Sequence, residues 1–458
     1  MARFDGYLKI SFVLIITYFF SGCSTLSKDG GFSEVSSIVH NRVEQQPVWL
    51  RSDEERSKQQ QIVNTILDTT LSADNAVRVA FINNPTLQKA LANLGIAEAN
   101  LVQAGRIRNP QISYTKLTPV SGEYDIERTV LFDVMSLLTL PMRSAIEKQH
   151  FQQAKLQAAM DILAIAAKTR KAYYSTIAAE QKVRYLEKIN QASQASAELA
   201  LRMAEVGNWN RLQQAREQAF YAEITSQLAD AKLHALQERE RLTRLMGLWG
   251  AQIHYKLPER LPDLPASVSE FCELEKQALI SRLDIQAMRH EIESKCKALG
   301  LTKATRFIDV FDLGYVRNSS DDEPHQAGYE ISLEIPLFDW GDAKIAKAQN
   351  IYMQAVWHLR EIAINARSEV REAYQTYRIL YDKTKFYHND VVSLRKLILD
   401  ESLLRYNGML ISAFELLADE REQIISVNAY IEALRDFWLA ETDLQTALMV
   451  KSPHSVVD

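Results

Sequence analysis

The residue types that carry bond chemistry are present in this 458-residue chain, but they are not arranged for it. The nine histidines are scattered, with neither H-x-x-x-H nor H-E-x-x-H spacing to place two imidazoles on one helix face. No G-x-S-x-G turn and no glycine-rich phosphate loop occurs. The three cysteines are Cys23, Cys272 and Cys296. None forms a C-x-x-C pair, so zinc, other metal and haem sites are not expected. Cys272 and Cys296 read as isolated thiols, a bridge between them being the alternative. What remains is charge at repeated spacing. Glu330 and Glu334 fall on one face of an alternating stretch, and Glu415 and Asp419 fall four apart on a helical one. Such pairs attract cations rather than cleave bonds, and no enzyme is expected.

Cys23 has a different chemistry. Arg3 and Lys9 precede an apolar run, Ile10 to Phe20, which is too short to span a bilayer as a helix but suits a signal-peptide core. The run ends in Phe20-Ser21-Gly22-Cys23, which is similar to the bacterial lipoprotein box. That resemblance implies cleavage before Cys23 and a covalent lipid on it; Phe20 departs from the usual Leu. Ser24 follows where an Asp would imply retention in the inner membrane, so export to the outer membrane is implied. Residues 1–22 are then a signal peptide. Residues 23–71, rich in Ser and Gln, read as an extended lipidated tether or a wrap-around arm. No cofactor beyond the lipid is expected. A net charge of −5, nearly balanced, argues against a nucleic-acid partner.

The elements that must position these residues are organised by the absence of Gly and Pro. Sixty-five residues between Pro141 and Gly207 contain neither, and 66 between Gly341 and Gly408 contain neither. Both stretches are rich in Ala, Leu, Gln, Glu, Lys and Arg, so they predict helices of about 98 Å at 1.5 Å per residue. Shorter uninterrupted stretches follow each. A shift of 201 residues superimposes the two long arms: Gln153-Ala154 on Gln354-Ala355, Ala172-Tyr173 on Ala373-Tyr374, Gly207 on Gly408. A shift of 198 aligns the segments upstream. The chain therefore divides into a first repeat over 72–248, a linker over 249–270, a second repeat over 271–450 and a tail over 451–458. The two matching glycines predict a helix end and turn in each copy.

Between the first short helix and the long arm, each repeat carries a strand-like insert. Tyr329 to Ile335 alternates strictly, with Glu330, Ser332 and Glu334 on one face and Tyr329, Ile331, Leu333 and Ile335 on the other. With Phe307 to Val316 and a polar loop over Asn318 to His325, this predicts a hairpin over about 307–335. Gln111 to Leu117 and roughly Glu127 to Val134 predict its counterpart over about 111–134. The fold class is mainly α with a small β part. Four strands in two hairpins make a marginal sheet in water but can close with sister chains into a membrane barrel without edges.

Several stretches carry a family resemblance. Asn84-Pro85-Thr86-Leu87, Gln103 to Pro110, Arg282-Leu283-Asp284-Ile285, Ile335-Pro336-Leu337-Phe338-Asp339-Trp340-Gly341 and Arg405-Tyr406-Asn407-Gly408 resemble the TolC-type outer membrane factor family, in its efflux lipoprotein branch. The resemblance covers about residues 72–449. It implies a homotrimer whose long helices form an α-helical barrel below a twelve-stranded transmembrane β-barrel, working with a periplasmic adaptor protein and an inner-membrane pump. It implies a strand-to-helix swivel at Pro336 and Gly341, matched by Pro141 in the first copy, and pore-facing Glu330 and Glu334. It implies adaptor contacts around Gly207, Asn208, Trp209, Asn210, Arg211, Tyr406 and Gly408. It implies a gate near Glu415 and Asp419, with Phe414 and Leu417 as an apolar plug; a solvated outer face is the other reading of the carboxylates. The implied function is passive outer-membrane export of drugs, solvents or metal ions. The alternatives are a type I protein secretion duct and a lipidated coiled-coil envelope protein without a pore.

Overall fold

The computed structural model describes residues 25–118, 124–268, 273–320 and 324–450. Cys23, Cys272 and the tail over 451–458 lie outside the described residues; Cys296 is an exposed free thiol.

Among the described residues four helices precede the first strand: α1 (Phe32–Val43), α2 (Asp53–Leu67), α3 (Ala73–Asn83) and α4 (Pro85–Ala104). Then come β1 (Gln111–Leu117), β2 (Asp125–Asp133), α5 (Val134–Glu205) and α6 (Arg211–Met246). The second half runs α7 (Leu274–Ser281), α8 (Leu283–Ala304), β3 (Phe311–Ser320), β4 (Gln326–Leu333) and α9 (Asp342–Phe386). A π-helical turn, Tyr387–Val392, leads into α10 (Ser393–Asn407), and α11 (Ala413–Met449) completes the described chain. Among the described residues no helix is long and apolar enough to cross a membrane.

The extended arm expected upstream of residue 72 is not extended. Ser52 caps α2 through a reciprocal bond pair with Glu55, and α1 and α2 bury Val35, Val39, Val63, Ile66 and Leu67. So few apolar positions in a polar stretch give weak periodicity, yet burying them suffices to hold two short helices.

The chain forms two compact units. The first comprises Leu91–Ala158 and Asp284–Ala363 with the chain up to Val35. It contains one antiparallel sheet in the order β1-β2-β3-β4. The central pairing, Asp125↔Ser320 to Asp133↔Asp312, joins the two halves of the chain. β3 begins later than expected and reaches Ser320, taking in residues assigned to a polar loop. Its partner β2 sets its length, and Asn318 and Ser320 belong to the polar face of the sheet. In the same unit, α1 docks on α5 through Glu34, which accepts from the buried Lys155 ammonium.

The second unit comprises Ser36–Ala90, Ala159–Leu283 and the chain from Ile364 on. Here the return helices run back along the long arms. α6 packs on α5 through Leu186, Phe220, Ile224, Leu228 and Ala231. α11 packs on α9 through Val370, Tyr377, Phe437 and Leu444. The linker is strapped across these helices. Trp438 donates to the Pro262 carbonyl at 3.1 Å, Tyr381 to that of Pro265 at 3.1 Å, and Leu71 N–H to that of Lys256 at 2.9 Å. Deeper in, Asn84 Nδ2 donates to Leu245 O at 2.7 Å, while Arg282, 1% exposed, donates to Ala447 O at 3.3 Å and to Glu369 at 2.7 Å.

The turns after the long arms differ from expectation by one residue. Gly207 closes α5 in the left-handed region, with bonds from Gly207 N to Ala204 O and from Asn208 N to Met203 O. Gly408 is not left-handed; its φ is −79°. Met409 takes that role at φ 60°, with the matching bonds from Met409 N to Tyr406 O and from Leu410 N to Arg405 O.

Candidate functional site: a two-faced open sheet and a capped helical turn

The sheet sorts its side chains by chemistry. Cross-strand partners share a face, so the register assigns both faces. One is mainly polar, with Ser113, Thr115, Asp125, Glu127, Thr129, Asp312, Asn318, Gln326, Glu330 and Ser332 beside the apolar Leu117, Leu131 and Val316. The other carries Ile112, Tyr114, Val130, Phe132, Leu313, Tyr315, Tyr329 and Ile331, with the cations Lys116, Arg128 and Arg317 confined to the end near the two hairpin loops. The second face is not a core: Ile112 is 77% exposed and Tyr329 89%. Among the described residues β1 and β4 each pair on one side only, so the sheet has two free edges. A sheet that leaves an apolar face and two edges open in water is an aggregation hazard; in lipid, with the edges joined, it is stable.

Glu330 lies in β4 opposite Gly314, on the polar face and exposed. Glu334 follows the end of β4, is also exposed, and its N–H donates to Val310 O at 3.3 Å. The strand-to-helix passage follows. Pro336 sits just past the ladder, where a missing N–H costs no bond. Gly341 has φ 73°, and a Cβ there would lie 2.8 Å from Arg306 O. Arg306 Nε in turn donates to Trp340 O at 2.7 Å, and the Asp339 carboxylate accepts from Gly341 N at 2.9 Å. Only glycine fits both the backbone and the approach of Arg306. Pro141 does not mark the matching junction. β2 passes directly into α5 at Asp133–Val134, where Asp133 caps the helix by accepting from Ser136 N at 2.7 Å, and Pro141 lies inside the helix.

In the second unit the two turns are built alike. After the left-handed residue and two more, Asn210 caps α6 and Ser412 caps α11. Each accepts from the N–H three residues on, with a Gln213 or Glu415 side chain returning the bond. Trp209 N–H also bonds Met203 O, and Arg211 begins α6. Tyr406 accepts from Met409 N through its carbonyl. Asn208 and Arg211 are exposed.

The gate candidates are held individually. The Glu415 carboxylate accepts from Ser412 N at 3.2 Å, so it completes its own helix cap. Asp419 accepts from Ser402 Oγ at 2.5 Å, tying α11 to α10. Phe414 is half exposed, with the Arg216 guanidinium 4.5 Å above its ring, and Leu417 is half-buried. The Ser412-x-x-Glu415 spelling signals the cap in the sequence.

Sequence reasoning missed a neighbouring acidic group. Burial, and then Glu217, push the Glu420 carboxyl up from its ordinary value. Glu217 is itself buried and accepts from Ser196 Oγ at 2.8 Å. Among the described residues no cluster of ligating side chains suits a metal ion.

No family's sequence profile matches the chain, and no curated protein matches it. Solved structures do. A membrane protein from Pseudomonas aeruginosa superimposes with a TM-score of 0.71 at 17% identity, covering 82% of this chain and 92% of that one. The Campylobacter jejuni CmeC outer membrane channel gives 0.69 at 16%, covering 82% and 85%. The Neisseria gonorrhoeae MtrE outer membrane channel, in its open state, gives 0.67 at 18%, covering 82% and 88%. The mainly helical architecture with one four-stranded antiparallel sheet is thus the fold seen in these outer-membrane channels.

Proposed function

We propose that this chain is one third of an outer-membrane exit channel. In this reading three copies join β1 of one to β4 of the next, closing twelve strands into a barrel with the apolar face toward lipid and the polar face toward a wet lumen. The observation that carries it is the sheet with two free edges and two chemically opposite exposed faces. The chain conducts passively and catalyses nothing. Glu330 and Glu334 line the conduit. A lipid on Cys23 adds a second anchor, each buried CH₂ contributing about 0.8 kcal/mol.

The substrate class is that of efflux: drugs, solvents or metal ions delivered by an inner-membrane pump through a periplasmic adaptor. The adaptor engages the turns at Asn208–Arg211 and Tyr406–Met409, and the constriction lies beside them. Opening there means separating α10 from α11, which breaks the Ser402–Asp419 bond, and moving Phe414 from Arg216. The test is purification in mild detergent followed by planar-bilayer recording. A trimer with conductance is expected; a monomer without conductance overturns the reading.

A further inference from the structure

Beside the strand-to-helix passage lies a cavity that the channel reading does not use. It has a volume of about 420 Å³ and lies between the C-terminal part of α8 and the N-terminal part of α9. Lys295, Lys344 and Lys347 line it, together with Asp309, and its floor includes Leu301 and Ile351. Asp309 answers Lys344. Lys295 and Lys347 have no carboxylate partner among the described residues. The cavity therefore holds more positive charge than it neutralises.

Next to it is an apolar ledge. Phe338 is 97% exposed, and Leu337, Trp340 and Phe307 are more than half exposed. Arg306 fastens the ledge to the cavity wall. It extends the end of α8, donates to Trp340 O, and lays its guanidinium 5.0 Å from the Phe307 ring centre. Lys344 follows Trp340 by four residues.

We propose that this pocket binds the phosphate of an anionic glycerophospholipid whose acyl chains lie along Leu337, Phe338 and Trp340. The inference rests on the membrane reading above. A basic pocket alone would suit any phosphate. A basic pocket continuous with exposed aromatic and aliphatic side chains suits an amphiphile, with Trp at headgroup level and lysines as the cationic counterpart. A soluble anion would leave the ledge bare. Asp339 and Glu334 act on Lys344 from the passage, but neither they nor Asp342 line the cavity, where Lys295 and Lys347 remain.

The experiment uses the full chain in neutral detergent, titrated with phosphatidylglycerol, phosphatidylcholine or inorganic phosphate and read by native mass spectrometry and thermal midpoint. Phosphatidylglycerol should remain bound and raise the midpoint, while phosphatidylcholine and phosphate do neither. The double variant Lys295→Gln with Lys347→Gln should weaken phosphatidylglycerol binding tenfold or more while assembly and conductance persist. Lys347→Arg, which keeps the charge, should retain binding. Equal binding of phosphatidylcholine, a response reproduced by phosphate alone, or full binding by the double variant overturns the proposal. A conducting trimer indifferent to phosphatidylglycerol refutes the pocket alone; a non-conducting monomer refutes the channel reading beneath it.

Discussion

Met409 occupies in one turn the step that Gly207 occupies in the other. Both are left-handed, at φ 60° and 78°, and both close a helix with the same pair of bonds, to the carbonyls three and five residues back. Three residues later comes the cap of the return helix, Ser412 in one case and Asn210 in the other. The turns are thus equivalent at a spacing of 202, whereas the long arms align at 201. Return-helix contacts obey 202 as well: Asn84 bonds the carbonyl of Leu245, and Arg282 that of Ala447. The π-helical turn Tyr387–Val392, with its wider i to i+5 ladder, lies between the stretch that aligns at 201 and the turn that matches at 202.

An L-residue in the left-handed region costs about 1–2 kcal/mol that glycine avoids. Met409 is 93% exposed, so its side chain gives little packing in return. Met409→Gly should therefore raise the unfolding free energy, by about 1 kcal/mol after the larger entropy of an unfolded glycine is counted. Gly207→Ala should lower it by a similar amount. A Cβ at Gly207 meets nothing within 4 Å, so only the backbone resists it. Urea unfolding of the three proteins compares them.

The π turn should be necessary where it stands. Deleting Asn389 would rotate α10 by about 100° against α9 and carry Ser402 away from Asp419. Loss of that bond and of the matching Arg395–Glu422 pair should open the turn to proteolysis. Faster tryptic cleavage near Arg405 than in the parent, with the sheet still protected, is the expected result.

What the sequence made legible were the features that repeat. Alternation from Tyr329 to Ile335 gave the faces of β4, and the lack of Gly and Pro gave the long arms. The Ile335–Gly341 motif placed the second swivel, but Pro141 misplaced its counterpart because a proline tolerated inside a helix looks like one that ends a strand. The glycine match at 201 hid the true register. A wider helical turn leaves no mark in composition, and a methionine in a left-handed position announces nothing. The helices before residue 72 were hidden because their few apolar residues become meaningful only when α3, α5 and α6 are there to cover them. Glu415 and Asp419 were legible as carboxylates on one helix face, but not as a cap and a tie between arms.

Arg282 offers a test of the second unit's interior. Its guanidinium is 1% exposed and bonded to Glu369 and Ala447 O. Arg282→Met leaves a nearly buried carboxylate without its cation, which should cost about 3–5 kcal/mol. Adding Glu369→Leu removes the orphaned charge and should restore much of the loss. The double variant therefore melts above the single one, although both side chains of the pair are gone.

Glu420 sets a pH dependence whose sign differs from that of a salt-bridged acid. Burial first, then Glu217, raise its folded value above 4.5, so the folded state holds the proton more tightly than the unfolded chain does. Its contribution is fully present below about pH 4.5 and is lost as pH rises through the raised value. Around it stand Glu217 on α6, with Ser196 of α5 donating to it, Tyr185 of α5, itself raised to about 12 by burial and by Glu420, and Arg421, stacked on Phe220. Tyr185, raised to about 12, stays neutral over this range, so the change comes from Glu420. Glu420→Gln mimics the protonated form. It should raise the melting midpoint at pH 7.5, raise it less as the pH falls, and flatten the dependence of the midpoint on pH. A variant that is destabilised at pH 7.5 would mean that the ionised carboxylate is favoured where it lies.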